Sequence, residues 1–287
     1  MSQKTFSKIP DSRETSLLID CPSCGGSSFK IHWQADQGVW QICRSCSLIL
    51  QNPQPQQEDI LQRYDSEYFD YETRNEEGFL KLMLLGLKDV GFSEWDVLSS
   101  EEKTFLDIGC ATGRLGAWLN DSGWKAQGVE VCREAAAYGN SHYNIDIFPG
   151  TLEEAGFVDN HFRFVHASHV IEHLNRPDLF LQEIYRILKP GGIFYCITPN
   201  SSGFQALIFA HKWRSVIADH LYLFSRKTLK LSARAQGFSI LRTKTWGGLG
   251  VGYAPGLLKN IADKLVKPLG WGDVMMMVLQ KPSGEEN

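Results

Sequence analysis

The chain has 287 residues, 43% hydrophobic and 22% charged, a composition typical of one sizeable globular domain with a small accessory one. Its net charge of −4 gives no broad excess of Lys and Arg, so nucleic acid is not expected to be the main partner. The polar N-terminus, the odd number of seven cysteines and the lack of a bilayer-length apolar run argue against a secreted disulfide framework and a membrane span, and predict a cytoplasmic protein.

After a predicted tail over residues 1–20, two C-x2-C pairs indicate a metal site. Its four cysteines are Cys21, Cys24, Cys43 and Cys46. Residues 25–42 alternate apolar and polar side chains around a polar turn, which is typical of a hairpin that brings the two pairs together. Four thiolates suit the tetrahedral coordination of zinc and leave no position for a substrate. We predict a zinc ribbon over residues 21–56 with a structural Zn²⁺, in preference to a redox dithiol.

Residues 57–98 are predicted to form a helical linker or cap. Residues 60–72 and 78–92 have helical character, and the leucines of the second segment are too dense for a face in water. That segment is therefore expected to pack against the rest of the protein. A group of aromatic residues is expected to pack the linker on its domain, or alternatively to line a cleft: Tyr64, Tyr68, Phe69 and Tyr71.

Strands and helices alternate over residues 99–287. Short apolar runs end in polar or glycine-rich turns and lead into amphipathic segments, which is typical of a parallel sheet with helices on both faces. Residues 201–224 interrupt this alternation with apolar helical material and are predicted to form a lid. Later helices of the alternation are expected over residues 176–192, 225–238 and 256–269.

A glycine-rich turn follows the first strand of this region. The motif "LDIGCATGRLG" ends a strand at Asp107 and opens a helix, so its backbone amides can approach a ligand closely. Glu130 ends the next strand, where a carboxylate can accept both hydroxyls of a ribose. Counted from Gly109, a dinucleotide fingerprint would need a small residue where Arg114 stands. The turn therefore does not favour NAD.

This turn, followed by "GVEV", "GTLEEAGFVDNHF", "HVIEHL", "ILKPGG" and "ITPN", resembles the class I S-adenosylmethionine-dependent methyltransferase family. The order and spacing match over roughly residues 100–200, and the cysteine pairs are similar to those of a bacterial subgroup with an N-terminal zinc ribbon. The resemblance implies an α/β fold, a Rossmann-like seven-stranded mixed sheet with helices on both faces and one antiparallel strand at its edge, preceded by the small ribbon. It also implies S-adenosyl-L-methionine as the cofactor.

Carried over by position, the resemblance implies a set of cofactor-binding residues. They are Asp107, Gly109, Cys110, Ala111, Gly113, Glu130, Val131, Thr151, Leu152 and His169. Ala111 replaces the middle glycine of the family signature, and Glu130 takes the ribose-binding position. Thr151 stands where the family usually has an acidic residue beside the adenine, so an amino contact there is not implied.

The loop "HVIEHL" follows the fourth strand, at the carboxyl edge of the sheet where open α/β folds bind ligands. Because histidine can act as a base near neutral pH, we predict His173 and Glu172 as catalytic residues, joined by His220 from the lid side. A purely structural role in holding the loop is the alternative for Glu172 and His173. His166, on the strand itself, is expected to be buried scaffold.

The same loop also permits a catalytic metal. Some related quinone-biosynthesis O-methyltransferases have a glutamate at the position of His169, then two intervening residues and Glu-His, and are described as binding a divalent ion. Here Glu172 and His173 match but the first carboxylate is absent, which weakens a magnesium site because Mg²⁺ prefers oxygen ligands. Histidines and a carboxylate would instead suit zinc or iron.

The predicted function is methyl transfer from S-adenosylmethionine to a small molecule or a sugar-containing metabolite such as a glycan precursor. An RNA methyltransferase that grips RNA with its ribbon is one alternative, disfavoured because only Lys30 and Arg44 are basic between Cys21 and Cys46. A non-catalytic scaffold that binds the cofactor is the other. Oligomeric state and the atom methylated are not predicted.

Overall fold

Two β-sheets organise the protein in a computed structural model, which describes residues 17–35, 38–95, 97–248 and 269–284. Most of the predicted tail over residues 1–20 and all but the last residue of the predicted helix over 256–269 lie outside these residues. Within the described ranges, the helices all lack the combination of length and apolar character that a bilayer-crossing segment needs.

The strands alternate with helices through most of the chain, as the sequence pattern predicts. The strands are β1 (Phe29–Ala35), β2 (Gly38–Cys43), β3 (Ile49–Gln51), β4 (Thr104–Ile108), β5 (Lys125–Glu130), β6 (Asp146–Pro149), β7 (Phe162–Ser168), β8 (Leu188–Pro199), β9 (Tyr222–Leu223), β10 (Ser239–Trp246) and β11 (Val274–Gln280). The α-helices are α1 (Gln57–Leu61), α2 (Ser66–Asp89), α3 (Arg114–Asp121), α4 (Arg133–His142), α5 (Leu152–Ala155), α6 (Pro177–Ile187), α7 (Phe204–Phe209) and α8 (Arg226–Ala235).

The larger sheet has seven strands in the order β10-β11-β8-β7-β4-β5-β6, which confirms the predicted Rossmann-like mixed sheet. The antiparallel strand β11 does not lie at the edge as expected, but pairs with both β8 and β10. Its consecutive methionines Met275, Met276 and Met277 are fully buried, which requires cover on both faces and a partner on both sides. Strand β10 is largely exposed and forms the edge.

The first predicted helical segment, residues 60–72, is divided by a turn. Helix α1 ends at Leu61, and the Asp65 carboxylate then accepts the backbone N–H groups of Glu67 and Tyr68 as the N-cap of α2. Helix α2 continues from there through Gly78 to Asp89, so the two segments predicted by periodicity are largely one helix.

The leucines of α2 are divided between two faces. Leu80 and Leu87 are buried against the domain, as the packing prediction requires. Leu82 and Leu85 are 66% and 62% exposed, so the helix is not buried on every side despite its many leucines.

Helix α6 is shorter than predicted. It ends at Ile187, and the segment that begins with Leu188 enters β8 instead of continuing the helix to residue 192. Pro190 explains this difference, because a proline lacks the N–H for the helix ladder and disfavours helical geometry at the preceding residue.

The ribbon and the predicted lid share the smaller sheet, whose order is β1-β2-β3-β9. Strand β9, from the lid region, pairs antiparallel with β3 through Ile49 opposite Leu223. Trp40 of the ribbon and Trp213 of the lid region are both fully buried in one apolar cluster. The lid region is therefore fastened to the ribbon by backbone hydrogen bonds and by a common core.

Candidate active site

A cleft of about 2500 Å³ lies at the carboxyl ends of β4, β5 and β7. Since small-molecule sites usually occupy about 300–1,000 Å³, this cleft can hold a cofactor and an acceptor together. Most of the predicted site residues line it: Asp107, Gly109, Cys110, Ala111, Glu130, Val131, Thr151, Leu152, His169, His173 and His220. Of the predicted cofactor-binding and catalytic residues, two do not: Gly113, the N-cap of α3, and the fully buried Glu172.

The glycine-rich turn adopts left-handed backbone geometry at three alternate positions. The φ angles of Gly109, Ala111 and Gly113 are 66°, 50° and 74°. A Cβ atom at Gly109 would lie 2.6 Å from Val170 Cγ2, and one at Gly113 would lie 2.7 Å from Ile147 Cδ1. Glycine is therefore required at both positions, whereas Ala111 accepts the left-handed conformation with a small side chain.

Glu130 links this turn to the next strand. Its carboxylate accepts the backbone N–H of Ala111 at 2.9 Å through one oxygen and that of Cys132 at 2.8 Å through the other. Burial raises the pKa of Glu130, and these two amide donors oppose the shift. Each carboxylate oxygen retains a lone pair, so Glu130 can still accept hydroxyl groups of a ribose.

Asp107 and Thr151 serve the local structure in addition to lining the cleft. Asp107 Oδ1 lies 2.7 Å from Nδ1 of His166, and both side chains are buried, as expected for His166. Thr151 is the N-cap of α5, where its hydroxyl and the Glu154 carboxylate form a capping box. Leu152 follows it with a buried side chain.

His169, which lines the cleft, is hydrogen-bonded to the buried Glu172 behind it. His169 has a positive φ of 57°, and its Nδ1 lies 3.0 Å from Oε1 of Glu172. The other Glu172 oxygen accepts the hydroxyl of Thr198 at 2.9 Å. Burial opposes ionisation of Glu172, but the hydrogen bond from His169 and the nearby imidazoles lower its pKa to about 2. Glu172 is therefore an ionised group that holds His169 through a hydrogen bond.

His173 and His220 meet at the acceptor side with ring centroids 4.8 Å apart. Nδ1 of His173 lies 2.9 Å from the carbonyl oxygen of Asp219, and Nδ1 of His220 lies 2.8 Å from that of Ser215. A carbonyl oxygen can only accept, so both Nδ1 atoms donate and both Nε2 atoms carry a lone pair.

Burial keeps these two imidazoles neutral. It lowers the pKa of His173 below its usual value and lowers that of His220 to about 3, with the neighbouring His173 contributing to the latter shift. A neutral imidazole can take up a proton at Nε2, but a lowered pKa makes it a weaker base than a free imidazole, so His220, with a pKa of about 3, is a weak base.

The sequence prediction gave too little weight to the segment around the start of α2. Tyr64, Tyr68 and Tyr71 line the cleft, whereas Phe69 does not and packs against Tyr138 with ring centroids 5.7 Å apart. Glu72 also lines it, with its pKa raised to about 7 by burial and by the charge of Glu130. Tyr68 and Glu72 are four residues apart on α2, and this spacing is the sequence signal for their shared helical face, while Tyr64 lies in the turn before the helix.

The four predicted ribbon cysteines converge. Their sulfur atoms lie within 4.8 Å of one another, with 3.5 Å between Cys21 and Cys46 and 3.6 Å between Cys24 and Cys43. Tetrahedral zinc with Zn–S bonds of about 2.3 Å needs sulfur atoms about 3.8 Å apart, so this donor set fits the ion. A second group of donor atoms within the same limit consists of Glu172, His173 and His220.

Comparison with known proteins identifies the family. A sequence model described as "Methyltransferase domain" matches residues 87–243, which is more than half of the chain. A ubiquinone biosynthesis O-methyltransferase of Brucella ovis is 34% identical over 103 residues, covering 33% of this chain and 41% of that protein. A demethylmenaquinone methyltransferase of Chlorobaculum parvum is 31% identical over 105 residues, covering 36% and 44%. The chain thus spans less than half of either relative.

The fold comparison agrees with the family match. The crystal structure of an S-adenosylmethionine-dependent methyltransferase from Archaeoglobus fulgidus aligns with a TM-score of 0.54 and 18% identity, covering 76% of this chain and 100% of that one. At this identity the likeness concerns the fold. The chain belongs to the class I S-adenosylmethionine-dependent methyltransferase family.

Proposed function

We propose that the protein methylates a small molecule or a sugar-containing metabolite. The observation that carries this proposal is that one cleft holds both the cofactor turn and two neutral histidines with free Nε2 atoms. The cofactor family, the cleft and the histidines together support acceptor activation next to the methyl donor.

The cofactor side consists of the turn, Glu130 and the face of β7. The backbone of Gly109 and Ala111 would hold the methionine moiety, Glu130 would accept the ribose hydroxyls, and His169 would line the sulfonium side. When bound, S-adenosylmethionine supplies a methyl group that its sulfonium already activates for in-line displacement. Positioning and exclusion of water by the chain then supply much of the acceleration.

The acceptor side consists of His173, His220 and the tyrosines near the start of α2. His173 Nε2 would take the proton from an acceptor hydroxyl or acidic carbon as the methyl group arrives. Glu172 would then stabilise the imidazolium. Tyr64 and Tyr68, whose rings lie 5.1 Å apart, offer apolar faces with polar tips that suit a flat or sugar ring.

The names of the curated relatives support a small-molecule acceptor of the quinone-precursor kind, one by O-methylation and one by methylation of a demethylmenaquinone. The low number of basic residues in the ribbon gives no support to RNA as the methyl acceptor. We propose that the ribbon cysteines hold a structural Zn²⁺, since four thiolates leave no open position for an acceptor.

Replacement of His173 tests this function. With S-adenosylmethionine and panels of hydroxylated quinone precursors, nucleotide sugars and RNA, we expect S-adenosylhomocysteine to form only with a small-molecule panel. His173→Ala should lower turnover by about a hundredfold or more, because a positioned base contributes about 10²–10⁴. Its affinity for the cofactor in calorimetry should stay near that of the unmodified protein.

His142→Ala is the matched control, because His142 is an exposed histidine on α4 that does not line the cleft. Full activity of His173→Ala would show that His173 has only a structural role. Cofactor binding without turnover on any panel would favour the non-catalytic scaffold, and turnover on RNA alone would overturn the small-molecule proposal.

A further inference from the structure

The loop over residues 215–220 sets the state of both acceptor-side histidines. Its Asp219 and Ser215 carbonyl oxygens accept the Nδ1 protons of His173 and His220. A shift of this loop would release the donors and allow either ring nitrogen to carry the proton. Whatever holds the loop therefore decides where the lone pair of each imidazole points.

Two side chains of the ribbon donate hydrogen bonds to this loop: Gln51, and Trp40, whose Nε1 lies 3.4 Å from the His220 carbonyl oxygen. The amide nitrogen of Gln51 donates to the carbonyl oxygens of Ala218 at 2.9 Å and His220 at 3.0 Å, with that of Ile217 at 3.5 Å. The Gln51 backbone N–H also donates to the Leu221 carbonyl at 2.8 Å. Because Gln51 is buried, water cannot replace these hydrogen bonds if they are lost.

The position of Gln51 is fixed by the cysteine cluster. Gln51 ends β3, which starts three residues after Cys46, and it pairs across the sheet with Trp40 of β2. The Cys43 backbone N–H donates to the Leu48 carbonyl at 2.9 Å, closing the second cysteine turn directly before β3. A rigid ribbon thus presents the Gln51 amide to the loop.

We propose that Gln51 is a positioning residue of the acceptor site, which fixes the Nδ1-protonated form of His173 and His220 by holding the loop over residues 215–220. Gln51 does not line the cleft, so it acts through the loop and not on the acceptor. The effect on turnover rests on the proposed function, whereas the effect on the protonated nitrogen does not.

Gln51→Leu tests this role, because leucine has a similar volume and lacks the amide. In ¹⁵N-histidine-labelled protein, with signals assigned from His173→Gln and His220→Gln, we expect the Nδ1 and Nε2 shifts of both rings to move from a fixed form toward averaged values. Turnover should fall by about tenfold to a hundredfold, as small misplacements of catalytic groups do. Zinc content and cofactor affinity should be retained.

Gln41→Leu is the matched control. Gln41 lies on β2, and its amide also donates to a backbone carbonyl, that of Asn52, outside the loop. This variant should leave the histidine shifts unchanged. Unchanged shifts in folded, zinc-loaded Gln51→Leu would overturn the proposal.

Gln51→Glu gives a second test should the leucine variant fail to fold. It keeps the side-chain length but places a carboxylate before the same carbonyl oxygens, so at pH 8 the shifts should also move, and their constancy would count against the role. Shifts that move in a protein without any methyl transfer would uphold Gln51 while refuting the proposed function.

Discussion

Gly109 combines a left-handed backbone with the close approach of Val170 at the start of the cofactor turn. Both features exclude a side chain at this position for steric reasons that the sequence motif alone does not reveal. The turn can therefore be tested by one substitution without altering the histidines.

Gly109→Arg should weaken S-adenosylmethionine binding by about a hundredfold or more, equivalent to about 2.8 kcal/mol, as measured by calorimetry. The arginine would strain the backbone and occupy the cofactor position. Gly123→Arg is the control, because Gly123 has a φ of 82° in a turn with open space around it. Equal affinities of the Gly109 variant and the unmodified protein would refute the cofactor assignment.

The histidine loop shows how far residue patterns lead. The clustering of His169, Glu172 and His173 after a strand predicts a site at the carboxyl edge, and the structure places these residues there. Their roles depend on partners such as the Asp219 carbonyl, 46 positions from His173. No local pattern encodes such a partner, so the burial of Glu172 behind His169 could not be predicted.

Among the elements, the two cysteine turns of the ribbon are positioned to hold one metal ion. Three of the four cysteines are buried, and their sulfur separations suit tetrahedral zinc. A segment this short buries too little apolar surface to hold its shape alone, so the ion would contribute directly to folding.

Elemental analysis of purified protein should find about one zinc per chain, since four thiolates complete one site. Cys43→Ser should lose it, whereas Cys132→Ser should retain it, because Cys132 is a buried cysteine outside the cluster. A metal-free, folded protein would contradict the assignment of a zinc ribbon. A second equivalent that disappears in His220→Gln would place an ion at Glu172, His173 and His220 and contradict the base role of His173.

Strands and helices with strong local patterns were predictable, and those that depend on distant partners were not. The apolar run of β11 predicts a strand. The family resemblance placed the antiparallel strand at the edge of the sheet, whereas the consecutive buried methionines of β11 explain why it lies inside. The cap at Asp65 starts α2, and the helix then continues through Gly78 to Asp89, which periodicity alone cannot show. Strand β9 has two residues and exists because β3 pairs with it.

At the scale of the whole molecule, the shared sheet joins the ribbon to the methyltransferase domain. The buried hydroxyls of Ser23 in the ribbon and Ser232 on α8 add a second connection at 2.5 Å. Cys21 and Cys43 also pack in the same apolar cluster as Leu106 of β4. These connections couple the stability of the two parts.

Calorimetric unfolding should therefore show one transition. Loss of zinc in Cys43→Ser should move the whole transition, and a destabilisation of about 3 kcal/mol would lower its midpoint by roughly 5–10 °C. Added S-adenosylmethionine should raise the same transition, because ligand binding stabilises every part that unfolds with it. A separate early transition of the ribbon, with the main one unmoved by the substitution, would disprove the coupling.

The bonds from Gln51 to the His220 carbonyl join positions 169 residues apart in the chain. During synthesis the cysteine turns emerge before the lid region, and the open edge of β3 must wait until residues 222–223 leave the ribosome. Contacts of such long sequence separation form slowly, because a large loop must close before they contribute. The contacts between the ribbon and the loop over residues 215–220 are thus completed late in folding.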